Sequence, residues 1–162
     1  MADMYLKIDG IKGDATADKH KDEIEIFSFS FGVAQPSGGP HTSSGGHAGG
    51  RVIPSDFSFT HKVDTASPIL YLGCCSGEVF KEAKLTMRRA SKDQKVFMTY
   101  TFTNVIVSSV SPSGSTGGDD IPMEGVSLRF DSLTLEYTPI KSDGSEGAKA
   151  KAGWDFATNK KK

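Results

Sequence analysis

The chain has few of the residues on which disulfide scaffolds, membrane proteins and zinc-binding domains depend. Its 162 residues include two cysteines, one tryptophan and no run of 18 apolar residues, so no transmembrane helix is expected. Cys74 and Cys75 are adjacent, and Cα atoms ~3.8 Å apart are too close for ordinary disulfide geometry. Two thiols without histidines at ligand spacing do not make a zinc site either. We therefore expect two buried, unreactive thiols.

An excess of charge of one sign is also lacking. Lysine and arginine total 19, and aspartate and glutamate total 20, which gives a net charge of −1. A nucleic-acid binder needs a dominant basic face to displace counterions, so nucleic acid is not expected as a partner. Lys160, Lys161 and Lys162 form a lysine cluster, and we interpret residues 158–162 as a solvated, disordered tail. The first residues lack the basic-then-apolar pattern of a secretory signal peptide, so any export is expected to use another route.

Motifs for catalysis and ligand binding are lacking as well. The sequence has no Gly-x-Ser-x-Gly elbow, no phosphate-binding Gly-x-x-x-x-Gly-Lys, no His-Glu-x-x-His and no dinucleotide fingerprint. We interpret His20 and His61 as surface or hydrogen-bonded structural residues, and His41 and His47 as loop residues without the partners that orient metal ligands. The clustered carboxylates are interpreted as solvated or salt-bridged groups: Asp22, Glu23, Glu25, Asp119 and Asp120. We therefore predict no enzyme activity, no catalytic residue, no metal and no cofactor.

What the sequence does contain is an alternation of apolar and polar residues, which is typical of half-buried β-strands. In one predicted strand, three phenylalanines share one face and two serines share the other: Phe27, Phe29 and Phe31 against Ser28 and Ser30. Ile24 and Ile26 fall in the opposite phase, which indicates a bulge near Ile26 or burial on both faces. Further strands are predicted over residues 4–9, 51–63, 79–89, 96–107 and 126–137, and a last one includes Trp154 and Phe156.

Two of these strands change phase along their length, one after Phe102 and one after Phe130. We interpret both phase slips as bulges, which bend strands and help a sheet to close into a barrel. The residues therefore predict a β-rich domain.

One short helix is predicted among the strands, over roughly residues 68–76. Ser67 can cap its free N–H groups, Pro68 suits its first position and Gly77 suits its end. The segment is apolar almost all round, so it must be buried or packed against another subunit.

A long Gly/Ser-rich loop is predicted over residues 35–50. It holds 6 of the 18 glycines and no large apolar side chain, so it cannot contribute to a core. Loops of this length in compact domains are usually functional or disordered. We interpret this one as a mobile hairpin loop that a partner orders.

Taken in order along the chain, these segments closely resemble the Hcp proteins (haemolysin-coregulated proteins), the tube subunits of bacterial type VI secretion systems. The similarity begins with MYLKIDGIKG at residues 4–13, HKDEIEI at 20–26 and FSFG at 29–32. It continues through DFSFT at 56–60, SP at 67–68, CCSG at 74–77 and AKLT at 83–86. It ends with VSSV at 107–110, VSL at 126–128, YTP at 137–139 and GW at 153–154. No one motif is diagnostic, but the ordered set covers essentially the whole chain.

The resemblance implies a mainly β fold, a two-sheet antiparallel β-barrel with one short flanking α-helix, in a single domain over residues 1–162. It implies a hexameric ring, rings stacked head-to-tail into a tube, and expulsion of that tube by sheath contraction. The implied fold is similar to that of phage tail-tube proteins. The implied partners are further copies of the chain, effector proteins carried and protected in the lumen, the trimeric spike protein VgrG and contractile sheath subunits. Neither nucleic acid nor membrane insertion is implied. The protein would lie in the bacterial cytoplasm and then be secreted to the medium or the target cell, without a cleaved signal peptide.

Two sets of site residues follow as hypotheses. Ser28 and Ser30, opposite the phenylalanine face, would look into the lumen and meet effectors, although they could also be ordinary surface serines. The Gly/Ser-rich loop would contact the neighbouring ring, although it could also be a merely flexible loop. The residues assigned to ring stacking are Pro40, His41, Thr42, Ser43, Ser44 and His47.

Two alternative functions remain open from the sequence. One is a free-standing secreted binding or adhesion module, which ring formation would distinguish from a tube subunit. The other is a hydrolytic effector, since some relatives carry C-terminal toxin domains. We expect no such domain here, because the chain ends soon after Trp154, Asp155 and Phe156.

Overall fold

A computed structural model describes residues 2–36 and 50–162, and in these residues the chain forms β-strands and one helix. The strands before the helix are β1 (Ala2–Ile8), β2 (Ile24–Glu25), β3 (Ser28–Ser30), β4 (Val33–Ala34), β5 (Ile53–Pro54) and β6 (Phe57–Lys62). The helix α1 spans Ser67–Ser76. After it come β7 (Val79–Arg89), β8 (Val96–Ser113), β9 (Met123–Arg129), β10 (Ser132–Tyr137), β11 (Ala150–Asp155) and β12 (Lys160–Lys161). The expected mainly β fold with one short helix is confirmed.

Antiparallel pairing closes the strands into a barrel. The path runs from β1 through β7, β8, β9 and β6 to β3, while β2 pairs with β1. Residues 24–30 complete the circuit because they leave β1 and join β6. The N–H of Ile26 donates to the carbonyl of Met4 (3.1 Å), and the N–H of Phe27 donates to that of Thr60 (2.8 Å).

The long strand β8 connects the two sheets of the barrel. Its first half pairs with β10, which extends through β11 to β12, and its second half pairs with β9. The first predicted bulge is wrong in its position, because β8 changes partner from β10 to β9 at the phase slip after Phe102. The register with β9 shifts further along the strand, between Val107 and Ser109. The second predicted bulge is wrong, because Phe130 and Asp131 separate two strands, β9 and β10, which both pair with β8. Both phase slips in the sequence therefore mark the place where β8 passes from pairing with β10 to pairing with β9.

Aromatic side chains fill the barrel. Phe57, Phe59 and Phe102 are fully buried, and the ring centroids of Phe57 and Phe102 lie 4.7 Å apart. Phe29 and Phe31 pack against them, as the alternation predicts. Truncating a buried phenylalanine to alanine typically costs about 3–5 kcal/mol, so this cluster is a large part of what holds the sheets together.

Phe27 does not share the buried face with Phe29 and Phe31, and the sequence-based prediction is wrong at this residue. Its side chain is 50% exposed, and the ammonium of Lys62 lies 5.9 Å from its ring centroid. The physical reason is the crossing at residues 26 and 27, where the chain leaves one strand partner for another. The isoleucines Ile24 and Ile26, which precede Phe27, are both buried.

The helix ends as predicted but begins differently. Gly77 adopts a left-handed conformation (φ 68°) and donates its N–H to the carbonyl of Gly73, which closes the last turn. Ser67 is not the cap, because the capping position is Ala66 and no side chain caps it. Instead the Ser67 hydroxyl accepts the N–H of Asp64 (3.1 Å), and the Asp64 carboxylate accepts the N–H of Ala66 (2.9 Å). Two short-range bonds thus fix the entry to the helix.

Two further expectations are corrected near the helix and at the C-terminus. Cys75 is exposed and Cys74 is half-buried, so the thiols are not both buried as expected. The tail expected to be disordered contains β12, in which Lys160 and Lys161 pair with Asp155 and Trp154.

Candidate functional site

One face of the barrel is lined by small side chains, most of which carry hydroxyl groups. It is formed by four neighbouring strands in the order β3, β6, β9 and the second half of β8. Their registers place the residues in two rows across the strands: Ser30, Ser58, Ser127 and Ser109 in one, and Ser28, Thr60, Gly125 and Ser111 in the other. We call these eight residues the hydroxyl face.

The alternation of each strand explains why these side chains lie together. Phe59 and Val126, which stand between hydroxyl-face residues along β6 and β9, are buried in the core. Because successive side chains of a strand point to opposite faces, burial of these residues turns their neighbours outward. Ser28 and Ser30 are exposed on this face, as the sequence predicts from the opposite placement of Phe29.

Hydroxyl groups on the face bond to one another across the strands. The Ser28 and Thr60 hydroxyl oxygens lie 2.6 Å apart, and those of Ser58 and Ser127 lie 2.8 Å apart. In such a pair one hydroxyl donates and the other accepts, so one proton and several lone pairs stay free for a bound molecule. The face can therefore donate to or accept from a partner without moving its backbone.

The hydroxyl face carries no charge of its own, and the charges at its two ends are paired. At one end the ammonium of Lys62 lies 3.2 Å from the Asp119 carboxylate. At the other, Arg129 lies 3.8 Å from Asp56, which also accepts a hydrogen bond from Ser108 (2.7 Å). Asp119 is thus salt-bridged, as expected. The surface offers hydrogen bonds rather than an electrostatic field.

Most of this face was not identified from the sequence. The sequence points to Ser28 and Ser30 only, whereas β6, β8 and β9 add Ser58, Thr60, Ser109, Ser111 and Ser127. The sequence does indicate that Ser58 and Ser127 lie on the outer faces of their strands, since they alternate with buried residues. The surface that these faces form together depends on which strands are neighbours, and the sequence does not specify that.

The two outer strands of the face have unused edges. Within the described part of the chain, β3 pairs with β6 alone, and residues 109–113 of β8 pair with β9 alone. The backbone groups on the outer side of these segments are available to another chain. An edge of this kind must be covered or paired in a soluble protein.

The buried histidines are structural. His61 is fully buried, its Nε2 lies 2.8 Å from a Glu124 carboxylate oxygen, and its Nδ1 lies 3.7 Å from Asp64. Burial raises the pKa of the Asp64 carboxyl, and the charge of His61 opposes part of that shift. His20 stacks on Tyr5 and lies 2.9 Å from Glu23. Of the two interpretations that the sequence left open for His20 and His61, the hydrogen-bonded structural one is correct.

Across residues 2–36 and 50–162, no group of three or more His, Cys, Asp and Glu side chains is placed to hold a metal ion. No helix in the same ranges is both long and apolar enough to cross a bilayer.

The residues assigned to ring stacking lie outside the described residues: Pro40, His41, Thr42, Ser43, Ser44 and His47. The strands that flank them, β4 and β5, pair antiparallel as expected of a hairpin, with Val33 opposite Pro54 and Ala34 opposite Ile53.

Comparison with known proteins agrees with this architecture. The family described as "Type VI secretion system effector, Hcp" matches residues 5–137. The chain belongs to the Hcp family. Protein hcp1 of Pseudomonas aeruginosa is 40% identical over 159 residues, which cover 97% of this chain and 96% of that protein.

Solved Hcp structures have the same fold. The chain matches the crystal structure of Hcp1 from Salmonella typhimurium with a TM-score of 0.82 at 37% identity, covering 99% of both chains. It matches another solved type six secretion system protein with a TM-score of 0.94 at 34% identity, over the whole of both chains. Hcp proteins are secreted structural proteins rather than enzymes, and the hexameric ring is their known assembly.

Proposed function

We propose that this chain is the subunit of the inner tube of a type VI secretion system. Six copies form a ring, the rings stack head-to-tail, and the tube is expelled when the surrounding sheath contracts. The observation that carries the proposal is the hydroxyl face. It is an uncharged polar surface on four strands with an unused edge at each side, in a chain of the Hcp family.

The unused edges support a ring in a direct way. A sheet with two unlike outer strands, β3 and the second half of β8, can join the β3 edge of one copy to the β8 edge of the next. Head-to-tail contacts of this kind give a closed ring when the rotation between copies divides a full turn. The hydroxyl faces of all copies would then form one continuous inner wall.

An inner wall of this chemistry suits a carrier. Ser28 and Ser30 would look into the lumen together with the other residues of the hydroxyl face, and effector proteins would be held and stabilised there. Small hydroxyl groups can bond to many polar surfaces, and uncharged hydrogen bonds are individually weak, about 0.5–1.5 kcal/mol net. Cargo could therefore be retained by many contacts and still be released.

Stacking is proposed for the Gly/Ser-rich loop over residues 35–50. Glycine allows two backbones to approach closely, and the stem formed by β4 and β5 anchors the loop on the barrel. A head-to-tail contact between rings has no natural end, so it would extend into a tube.

The remaining partners follow from the tube itself. The trimeric spike protein VgrG would tip it, and contractile sheath subunits would surround it. The subunit would be made in the bacterial cytoplasm and delivered to the medium or the target cell without a cleaved signal peptide.

The first test is the solution mass of the purified chain, measured by light scattering on a sizing column, with negative-stain images of the same peak. Six copies of 17.3 kDa make a ring of about 104 kDa. We expect that mass and open rings. A monomer that persists at high protein concentration, or a defined dimer or trimer, would contradict the proposal and favour a free-standing binding module.

A further inference from the structure

The outward side of α1 is an exposed apolar surface. Leu72 is 64% exposed, Tyr71 is 63% exposed, and Ile69 and Cys75 are also exposed. Ile69, Leu72 and Cys75 follow one another at three-residue spacing, and Tyr71 lies one turn before Cys75, so the four side chains are neighbours on the helix surface. We call them the helix face. Leu70 and Gly73, on the inward side, fix the helix to the barrel.

This face differs in chemistry from two other surfaces of the barrel, the hydroxyl face and the outer side of β7 and β10. No residue of α1 is charged, whereas the hydroxyl face is bordered by ion pairs and the outer side of β7 and β10 carries Lys84 and Glu136. Permanent interfaces between identical chains are apolar and depleted of charge at their centre. Partners that must dissociate, such as cargo or a sheath that separates on contraction, fit the polar surfaces better. The helix face therefore fits a permanent contact.

The position of α1 connects it with the proposed ring contact. The helix packs on β8, where Gly73 lies so close to Phe80 and Val107 that an added Cβ would be 3.1 Å from the Phe80 ring. Val107 lies two residues before the segment 109–113, whose outer edge is unused. The helix face and the free β8 edge therefore adjoin the same stretch of β8.

We propose that the helix face is covered by a second copy of this chain in the ring, as part of the contact made by the β8 edge. This inference rests on the proposed ring and adds to it which surface the neighbouring copy buries. Apolar burial there would stabilise the ring in proportion to the surface that the neighbouring copy covers. It would make the ring contact stronger than the weak hydrogen-bonded contacts proposed for cargo.

Cys75 is a built-in probe of this contact. In a Cys74→Ala variant it is the sole thiol, and its rate of alkylation by a maleimide-polyethylene glycol reagent can be followed by gel shift. The rate in the ring fraction is divided by the rate in concentrated urea. A thiol covered by a neighbouring copy should react at least about a hundredfold more slowly in the ring, because the reagent must wait for the contact to open. The control is a thiol from Ser142→Cys in a chain with Cys74→Ala and Cys75→Ala, which should react at nearly the unfolded rate.

A charge placed in the helix face tests the contact itself. Leu72→Asp and Tyr71→Asp should convert rings to subunits of about 17 kDa with the far-ultraviolet circular dichroism of the parent, because a buried, unpaired carboxylate is costly. Tyr137→Asp, at an exposed tyrosine of β10 outside the helix face, is the matched control and should leave the ring intact.

If rings form normally with Leu72→Asp, or if Cys75 in rings reacts as fast as the control thiol, the inference is wrong while the tube proposal stands. If the parent chain forms no ring, the tube proposal itself fails.

Discussion

At the scale of single residues, the charged side chains buried in the described part of the barrel lie beside partners. Glu124 is buried opposite His61, and the two side chains form a hydrogen bond between β6 and β9. Asp64 lies near the same imidazole, where it also accepts the N–H that begins the helix. Burial raises the pKa of Asp64 more than these contacts lower it. Its ionised form is therefore less favourable in the folded chain than in the unfolded chain.

The raised pKa of Asp64 determines how the stability of the chain depends on pH. A carboxyl whose folded pKa is raised favours the folded state below its unfolded pKa of about 3.8, and this contribution is lost as pH rises through the folded pKa. Asp64→Asn removes the ionisation but keeps an oxygen for the Ala66 N–H. The stability of the variant relative to the parent should therefore increase from acidic to neutral pH, as measured by urea unfolding from about pH 3 to about pH 7.

Asp143 provides a control of opposite sign. Its side chain accepts hydrogen bonds from the hydroxyl and N–H of Ser145, and these bonds lower the pKa of the exposed carboxyl. Asp143→Asn should lose stability relative to the parent as pH rises, by a small amount because the group is in solvent. A relative stability of Asp64→Asn that is flat or falls with pH would contradict the assignment of the Asp64 shift to burial.

At the scale of elements, the sequence predicts strands well where one partner holds along their whole length. Strands were predicted over residues 4–9 and 79–89, and the structure has β1 over Ala2–Ile8 and β7 over Val79–Arg89, which pair along the whole of β1. The end of the helix at Gly77 was also predicted correctly, because a helix that ends in the left-handed conformation favours glycine at that position. Local rules of this kind need no knowledge of the fold.

The predictions that failed in the strands and at the C-terminus depend on long-range contacts. Phe27 is exposed because the chain changes strand partner there, and Lys160 is paired because β11 supplies an edge. Ser109 belongs to the hydroxyl face only because β8 lies beside β9. The alternation of apolar and polar residues identifies a strand and its two faces. It does not identify the neighbouring strands, which determine what each face contacts. The candidate site was therefore predicted for one strand out of four.

A substitution within one row of the hydroxyl face tests whether it binds cargo as a unit. Ser30→Gln and Ser109→Gln would each fill the row with a longer side chain, and both residues are exposed on outer strands. We expect rings to form normally and co-purification of an effector protein co-expressed from the same secretion system to fall at least about tenfold, a loss of ~1.4 kcal/mol. The loss reflects displaced hydrogen bonds and steric exclusion from the wall.

Ser145→Gln, on an exposed loop away from the hydroxyl face, is the control and should retain the effector. If effector retention in Ser30→Gln rings equals that of the parent, Ser30 does not contact cargo. If Ser30→Gln reduces retention and Ser109→Gln does not, the cargo contact is limited to the β3 side of the face.

At the scale of the whole molecule, a tube needs two contacts of different strength. The contact within a ring should persist, because a ring that opens loses its cargo and its lumen. The contact between rings should be weaker, because a strong head-to-tail contact would polymerise the chain before the secretion apparatus is in place. An apolar helix face and free strand edges suit the first contact. A Gly/Ser-rich loop without large apolar side chains suits the second, since it offers little surface to bury.

Shortening that loop should separate the two contacts. Deletion of residues 42–48 leaves β4 and β5 intact and changes the free energy of loop closure by less than about 1 kcal/mol, so folding and ring mass should be those of the parent. Tube growth should be abolished, as seen by negative-stain imaging of cells in which the sheath is assembled.

A second variant, in which residues 42–48 are replaced by an equal number of alternating glycine and serine residues, keeps the length and removes Thr42 and His47. Loss of tubes in the deletion alone would assign stacking to loop length, and loss in both would assign it to the side chains. Normal tubes from the deletion would refute the stacking role, and the contact between rings would then belong to the described surface of the barrel.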